Sequence, residues 1–284
     1  MIYDCFLFFN EFELLKVRLE YLYDYVDKFV ITESNLTQSG SLKPLYFKDN
    51  EELFDKWKDK IIYNVVDFIP VDFSKRTENK NINSILDICS RYTHYPHNVW
   101  RYENETFQRE CMILPLVENC KDEDIILISD LDEFPKREFL KDLIFENSHI
   151  NFHNSMRQYY INVEKYNEDW IGTFACEWNY LKKLDKGLNG LRMAKRSQGK
   201  TIENSGWHFT FLGGPEKIKE KIRAYGHQEF NNAHVLDNVE ENMKNNRDIF
   251  FRSGAVFRDI SLNDFDKELL NFFQNHFPIS IKGT

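Results

Sequence analysis

The sequence predicts an α/β protein, and three observations carry that prediction. An apolar run over residues 2–9, rich in strand formers, leads into a helical pattern and then a second apolar run at residues 28–32, which together make a βαβ unit. Residues 125–129, Ile-Ile-Leu-Ile-Ser, are unbroken by charge, as a central strand covered on both faces requires. With 284 residues, 42% of them apolar, the chain can bury a substantial core, and without an internal repeat or a Ser/Pro-rich linker it reads as one domain.

Each element follows from local chemistry. The first strand ends at the polar break of Asn10 and Glu11. Phe12, Leu15, Leu19, Leu22 and Val26 then recur at spacings of three and four, with Glu13, Lys16, Arg18 and Glu20 between them, so a helix with one apolar face follows. A third strand is expected at residues 61–68 and a helix at 104–114. Pro115 removes an amide donor and crowds the turn before it, so that helix kinks or ends near Leu114. Residues 151–163 and 173–180 are aromatic and alternating enough for strands, whereas residues 182–205, basic and glycine-bearing, read as a loop or short hairpin. Gly213, Gly214 and Pro215 punctuate the start of a helix that includes Ile218 and Ile222.

Composition excludes some roles. Forty-six acids against 37 Lys and Arg give a net charge of -9, so neither nucleic acid nor an anionic membrane is the expected main partner. No stretch approaches ~20 apolar residues and the opening residues lack a basic n-region, so neither a membrane span nor a signal peptide is expected. Cys5, Cys89, Cys111, Cys120 and Cys176 are odd in number and never in CxxC form, which predicts reduced thiols and a cytoplasmic setting.

The sharpest chemical signal is Asp130, Asp132 and Glu133 at the carboxyl end of the 125–129 strand, the end at which ligands bind in open α/β sheets. Two carboxylates at i and i+2 offer hard oxygens to Mg²⁺ or Mn²⁺; the competing reading is an acidic turn that caps the next element. His208, between Trp207 and Phe209, is a further ligand for such an ion or a hydrogen-bonded histidine of an aromatic core. Glu216, at the second position of the helix that opens at Pro215, suits a general base, although a helix N-terminus lowers a carboxylate pKa. Glu105 and Arg109 are spaced as a helical ion pair, with a phosphate contact as the functional alternative for Arg109. His227, Gln228 and Glu229 form a polar cluster; Trp100, Trp170 and Trp178 are core aromatics or sugar-stacking surfaces; and Arg192, Lys195 and Arg196 are a solvated basic loop or a contact for donor phosphate or an anionic acceptor.

These segments, in order, resemble glycosyltransferase family 17. The resemblance runs through FNEFELLKVRL (9–19), VDKFVITESNLTQSG (26–40), NETFQRE (104–110), ISDLDEFP (128–135) and GWHFTFLGGPEKI (206–218), and ends near AYGHQEFN (224–231) and FFRSG (250–254). It implies a GT-A type fold, a Rossmann-like mixed sheet flanked by helices, with a nucleotide-sugar half (1–135) and an acceptor half (136–284). It also implies an inverting, metal-dependent transfer of N-acetylglucosamine or a related hexose from a UDP-sugar to a hydroxyl of a glycan or glycolipid. Asp130 and Asp132 match the family's D-x-D, which grips the donor diphosphate through Mn²⁺ or Mg²⁺; His208 matches the histidine of its G-W-H segment; Gln108 and Arg109 match its Q-R pair. Glu33 and Asn35 lie where such folds contact the nucleoside, and Glu216 matches an acid that would act as base, with Glu229 as its alternate. The sequence departs from many members at Phe209, where they carry cysteine, and the anchor and stem of the secreted ones are not expected in it. Two other readings compete: a carbohydrate-binding protein without turnover, and a phosphatase with an aspartate nucleophile, against which stands the position of Asp130 near the middle of the chain.

Overall fold

The computed structural model describes residues 1–91, 99–194 and 198–283. Strand β1 (Ile2–Phe8), helix α1 (Phe12–Leu22) and strand β2 (Lys28–Ser34) form the expected crossover, with Cys5 opposite Val30 in a parallel register. Strand β3 (Ile61–Val66) extends this parallel set beyond β2. Helices α2 (Lys80–Arg91) and α3 (Trp100–Glu110) precede a break, and α4 (Ile113–Asn119) follows it. The break resolves the Pro115 alternative. The helix ends at Glu110, and Pro115 falls in the first turn of α4, where its missing N–H would have had no helical partner.

Strand β4 (Ile125–Ile128) lies parallel to β1 on the side away from β2. Short strand β5 (Glu133–Pro135), then β6 (Ile150–Gln158), β7 (Val163–Lys165) and β8 (Trp170–Glu177) follow. Residues 178–180, expected in strand, instead open the short helix α5 (Trp178–Leu181). Residues 182–205, expected as a loop, carry helix α6 (Gly187–Ala194) and the beginning of strand β9 (Lys200–Thr210). Gly187 and Gly190 masked the helical signal: both lower helix propensity, yet Gly187 adopts φ 58, which a side chain would disfavour. Helices α7 (Pro215–Ala224), α8 (Ala233–Asp237) and α9 (Val239–Lys244), strand β10 (Phe257–Asp259) and helix α10 (Lys267–His276) complete the described elements.

The ten strands form one mixed sheet in the order β10-β7-β6-β8-β4-β1-β2-β3, with β9 pairing both β5 and β6. Alternation across the pleat supplies a core on each face. Phe6, Phe8 and Leu127 pack with α1 and α10 residues such as Leu15 and Phe273, while Tyr3, Cys5, Ile126 and Ile128 pack with Leu116, Leu181 and Leu188 on the other side. The chain therefore folds as a mixed α/β sheet flanked by helices. All five cysteines are free thiols, and no helix among the described residues is long and apolar enough to cross a membrane.

Candidate active site

From β1 the chain proceeds outward to β2 and β3 on one side, whereas β4 occupies the other side of β1. The carboxyl ends of β1 and β4 thus part at a topological switch point, where an open α/β sheet forms a crevice. The crevice holds a cavity of about 320 Å³, lined by Phe8 and Phe9 at the end of β1, Leu36 to Gln38 after β2, and Asp130 to Asp132 after β4.

The acidic loop is fixed from beneath by Arg18. Its guanidinium is fully buried and donates from Nε and Nη2 to both carboxylate oxygens of Asp4, at 2.8 and 2.7 Å. Nη2 also donates to Ser129 Oγ (2.7 Å), and Nη1 to the carbonyls of Leu131 (3.1 Å) and Glu133 (2.7 Å). The sequence pattern left Arg18 on the polar face of α1, whereas here it clamps the turn after β4, whose Leu131 and Glu133 carbonyls would otherwise be buried without this partner. Glu133, also fully buried, accepts the Asp130 N–H (2.7 Å), Trp170 Nε1 (2.8 Å) and Arg192 Nη1 (3.2 Å), so it organises the loop and does not face the cavity.

Asp130 and Asp132 both line the cavity but have different partners. Asp130 is gripped by Arg109 from α3 and by Arg192 Nη2 from α6 at 3.0 Å. Burial opposes its ionisation, but the two guanidinium groups outweigh this and hold its pKa at about 2. Asp132 accepts from Lys221 Nζ at 2.8 Å, and His208 Nε2 lies 3.4 Å from its other oxygen. Here too burial opposes the charge, and the Lys221 ammonium and His208 more than offset it, so the carboxyl stays far below the usual range.

His208 reaches Asp132 through the β5–β9 ladder, in which Glu133 pairs with His208 and Phe134 with Trp207. Its ring lies 4.5 Å from that of Trp170, and its Nδ1 is buried without a hydrogen-bond partner among the described residues. Gln108 and Arg109 line the cavity, with Gln108 Nε2 donating to the Leu36 carbonyl (3.3 Å). The Asn104 amide donates to the carbonyls of Thr37 and Gln38, so α3 fastens the loop after β2 that forms one cavity wall.

Not every remaining candidate reaches the cavity. Glu33 is enclosed by Lys43 Nζ (3.0 Å), the Phe47 N–H (3.0 Å) and Tyr63 Oη (2.8 Å), and it presents Lys43, not itself, to the cavity. Asn35 donates to the Asp67 carbonyl outside the cavity. Glu216 is outside it too: its side chain is 82% exposed and pairs with Lys219. On α7 the cavity is reached by Lys221, five positions on and about 140° around the helix, so the two residues cannot share a face. His227 lines the cavity and Nδ1 lies 2.7 Å from Glu229, which does not. Of the three tryptophans Trp170 lines the cavity, Trp178 is core, and Trp100 donates to the Pro70 carbonyl. Lys195 and Arg196 lie outside the described residues.

Three lining residues had little or no sequence signal. Lys221 is one of several lysines in Pro215–Ala224; Lys43 sits in a loop; Glu105 had only its pair with Arg109, here at 3.6 Å, while its Oε2 is buried and accepts no hydrogen bond.

The aspartates fit a hard divalent cation. Both face the cavity and both are ionised, as such a ligand must be. Among the described lining residues, Glu11, Glu105, Asp130 and Asp132 balance Lys43, Arg109, Arg192 and Lys221. A bound diphosphate would upset that balance unless a cation accompanied it. No group of three or more acid, His or Cys side chains poised for a metal occurs among the described residues. The protein would supply two carboxylates and leave the other positions to water and phosphate, which is the habit of Mg²⁺.

Fold and site together define an α/β protein with a charged ligand cavity at the switch point of its sheet. The chain belongs to glycosyltransferase family 17, whose model matches residues 1–251. It is 26% identical over 246 residues to the human, rat and mouse proteins named beta-1,4-mannosyl-glycoprotein 4-beta-N-acetylglucosaminyltransferase. The match covers 75% of this chain but only 41% of the human protein and 40% of the other two, so the chain spans less than half the length of these relatives. A solved structure of an active-site mutant of LgtC matches over 96% of this chain and 94% of its own at 10% identity and a TM-score of 0.35, too distant for residue-level comparison.

Proposed function

We propose that the cavity binds a UDP-sugar and transfers its sugar, N-acetylglucosamine or a related hexose, to a carbohydrate hydroxyl with inversion, on a GT-A type fold. What carries this reading is the placement of Asp130 and Asp132 at the switch point, facing a cavity that also presents Arg109, Arg192 and Lys221. The nucleotide-sugar half at 1–135 and the acceptor half at 136–284 both contribute to its lining. The names of the relatives support N-acetylglucosamine as the donor sugar and a glycan as acceptor.

As the anomeric carbon parts from phosphate, negative charge grows on the departing nucleotide. Asp130 and Asp132 would hold Mn²⁺ or Mg²⁺, which supplies charge neutralisation at that oxygen. Arg109 and Arg192 add fixed donors of the kind that bind phosphate in a fork, and their carboxylate partners pre-orient them. The acceptor oxygen bonds to the anomeric carbon on the opposite face while its proton passes to a carboxylate. Glu105 suits that step better than Glu216, because it lines the cavity while Glu216 stands outside it in solvent.

The test is UDP release from a panel of UDP-sugars with carbohydrate acceptors, with and without EDTA. Release that needs added Mn²⁺ or Mg²⁺ and drops at least about 10²-fold in a folded Asp132→Asn protein is expected. Turnover indifferent to both would refute the mechanism, and metal-independent sugar binding without turnover would favour a non-catalytic protein.

A further inference from the structure

We infer that Lys221 has two successive partners: its ammonium neutralises Asp132 before a divalent cation binds, and contacts the donor diphosphate afterwards. The inference rests on the reading of the cavity as a nucleotide-sugar site and assigns that site a residue the sequence did not mark.

The two ends of the Lys221–Asp132 pair differ in freedom. The Asp132 side chain is 8% exposed, and its backbone carbonyl accepts the Phe209 N–H at 2.7 Å, so its backbone is held beside the β5–β9 ladder and its carboxylate has little room to move. The Lys221 side chain is 32% exposed and lines the cavity. Its backbone is anchored on α7 by the buried neighbours Ile218 and Ile222, while a four-carbon stem of rotatable bonds carries the charge. A divalent cation on Asp132 would meet the ammonium, 2.8 Å from the same carboxylate, as a like charge in a partly buried site. The ammonium must then move, and the cavity into which it moves is where the diphosphate would lie. Asp130 has no such mobile partner, since both of its cations are guanidinium groups that also pair with Glu105 or Glu133.

The consequence has two opposite signs. In Lys221→Gln, Mn²⁺ added alone, followed by electron paramagnetic resonance of the free ion, should bind roughly tenfold more tightly, because its competitor is gone. UDP binding at saturating Mn²⁺, followed by calorimetry, should weaken by about tenfold or more through loss of a charged hydrogen bond. Lys221→Arg keeps the charge and should leave Mn²⁺ binding near that of the unaltered protein. The gain is read in Lys221→Gln protein that keeps the thermal unfolding transition of the unaltered chain, because a misfolded chain with 46 acids would expose carboxylates that also bind Mn²⁺. If both proteins bind UDP but Lys221→Gln binds Mn²⁺ no more tightly, the role of Lys221 is overturned alone. If the unaltered protein binds no UDP with or without Mn²⁺, the donor-site reading falls and takes this role with it.

Discussion

Glu105 and Glu216 show how two helical carboxylates come to differ by where the fold places them. Glu105 projects from α3 beside Arg109, with one oxygen buried at the cavity, whereas Glu216 sits in the first turn of α7 in solvent, where Lys219 lowers its pKa further. A base kept ionised and solvated far from the acceptor contributes nothing to proton removal. Glu105→Gln is therefore expected to lower UDP release in the presence of acceptor by about 10²- to 10⁴-fold, while Glu216→Gln stays within about twofold. The reverse ranking would return the role of base to α7. At the same scale, Asp130 and Asp132 are distinguished by the mobility of their cations, a difference their shared motif does not express.

At the scale of elements, the ladder between β5 and β9 unites the two halves of the site, and Gly206 makes it possible. β9 passes between β5 and β6, and a Cβ at position 206 would lie 2.6 Å from the Phe134 carbonyl and 2.2 Å from Asn154 Oδ1. The carbonyl is backbone and cannot swing aside, so the strands must part. Gly206→Ala should cost about 1–3 kcal/mol of stability, seen as a lowered denaturation midpoint, and should weaken UDP binding because His208 and Asp132 share that ladder. An alanine variant of full stability would mean that β9 has slack the structure does not show. Helix α6 makes the complementary case. Two N–H groups of its first turn, Leu188 and Asn189, donate to buried Glu110 at 3.0 and 2.6 Å, and its last turn carries Arg192 to Asp130.

At the scale of the whole molecule, the buried carboxyls give stability a pH dependence of two signs. Burial raises the pKa of Glu110 to about 7, with the Asn189 and Leu188 N–H groups offsetting only part of the cost of its charge. The folded chain thus binds this proton more tightly than the unfolded one, whose glutamates titrate near about 4.3. The contribution of Glu110 is complete below that value and is lost as pH rises to about 7. Asp130 acts in the opposite sense: depressed to about 2, its contribution is present above about pH 4 and is lost on acidification. His149, whose pKa burial lowers, slopes against Glu110 over the same range, so the clean measurement is a difference. The thermal midpoint of the unaltered protein minus that of Glu110→Gln should fall steadily from pH 5 to pH 7. A difference independent of pH would show that Glu110 titrates normally.

The sequence by itself determined the β1–α1–β2 unit, the buried β4 and the acidic turn after it, because these depend on neighbours in the chain: apolar period, crossover length and the character of one strand end. It also placed Gln108, Arg109 and His208 among the candidates that reach the cavity. It misjudged residues 182–205, where glycines hide a helix held by the distant Glu110, and it could not place Lys221, Arg18 or Glu105 in their roles. Those roles arise from side chains far apart in the chain that meet only across a ladder or at a switch point. Local pattern records which face of an element is apolar; only the packed sheet decides which of the polar residues on the other faces point at one another, and so which carboxylate is bound to a rigid cation, which to a mobile one, and which to solvent.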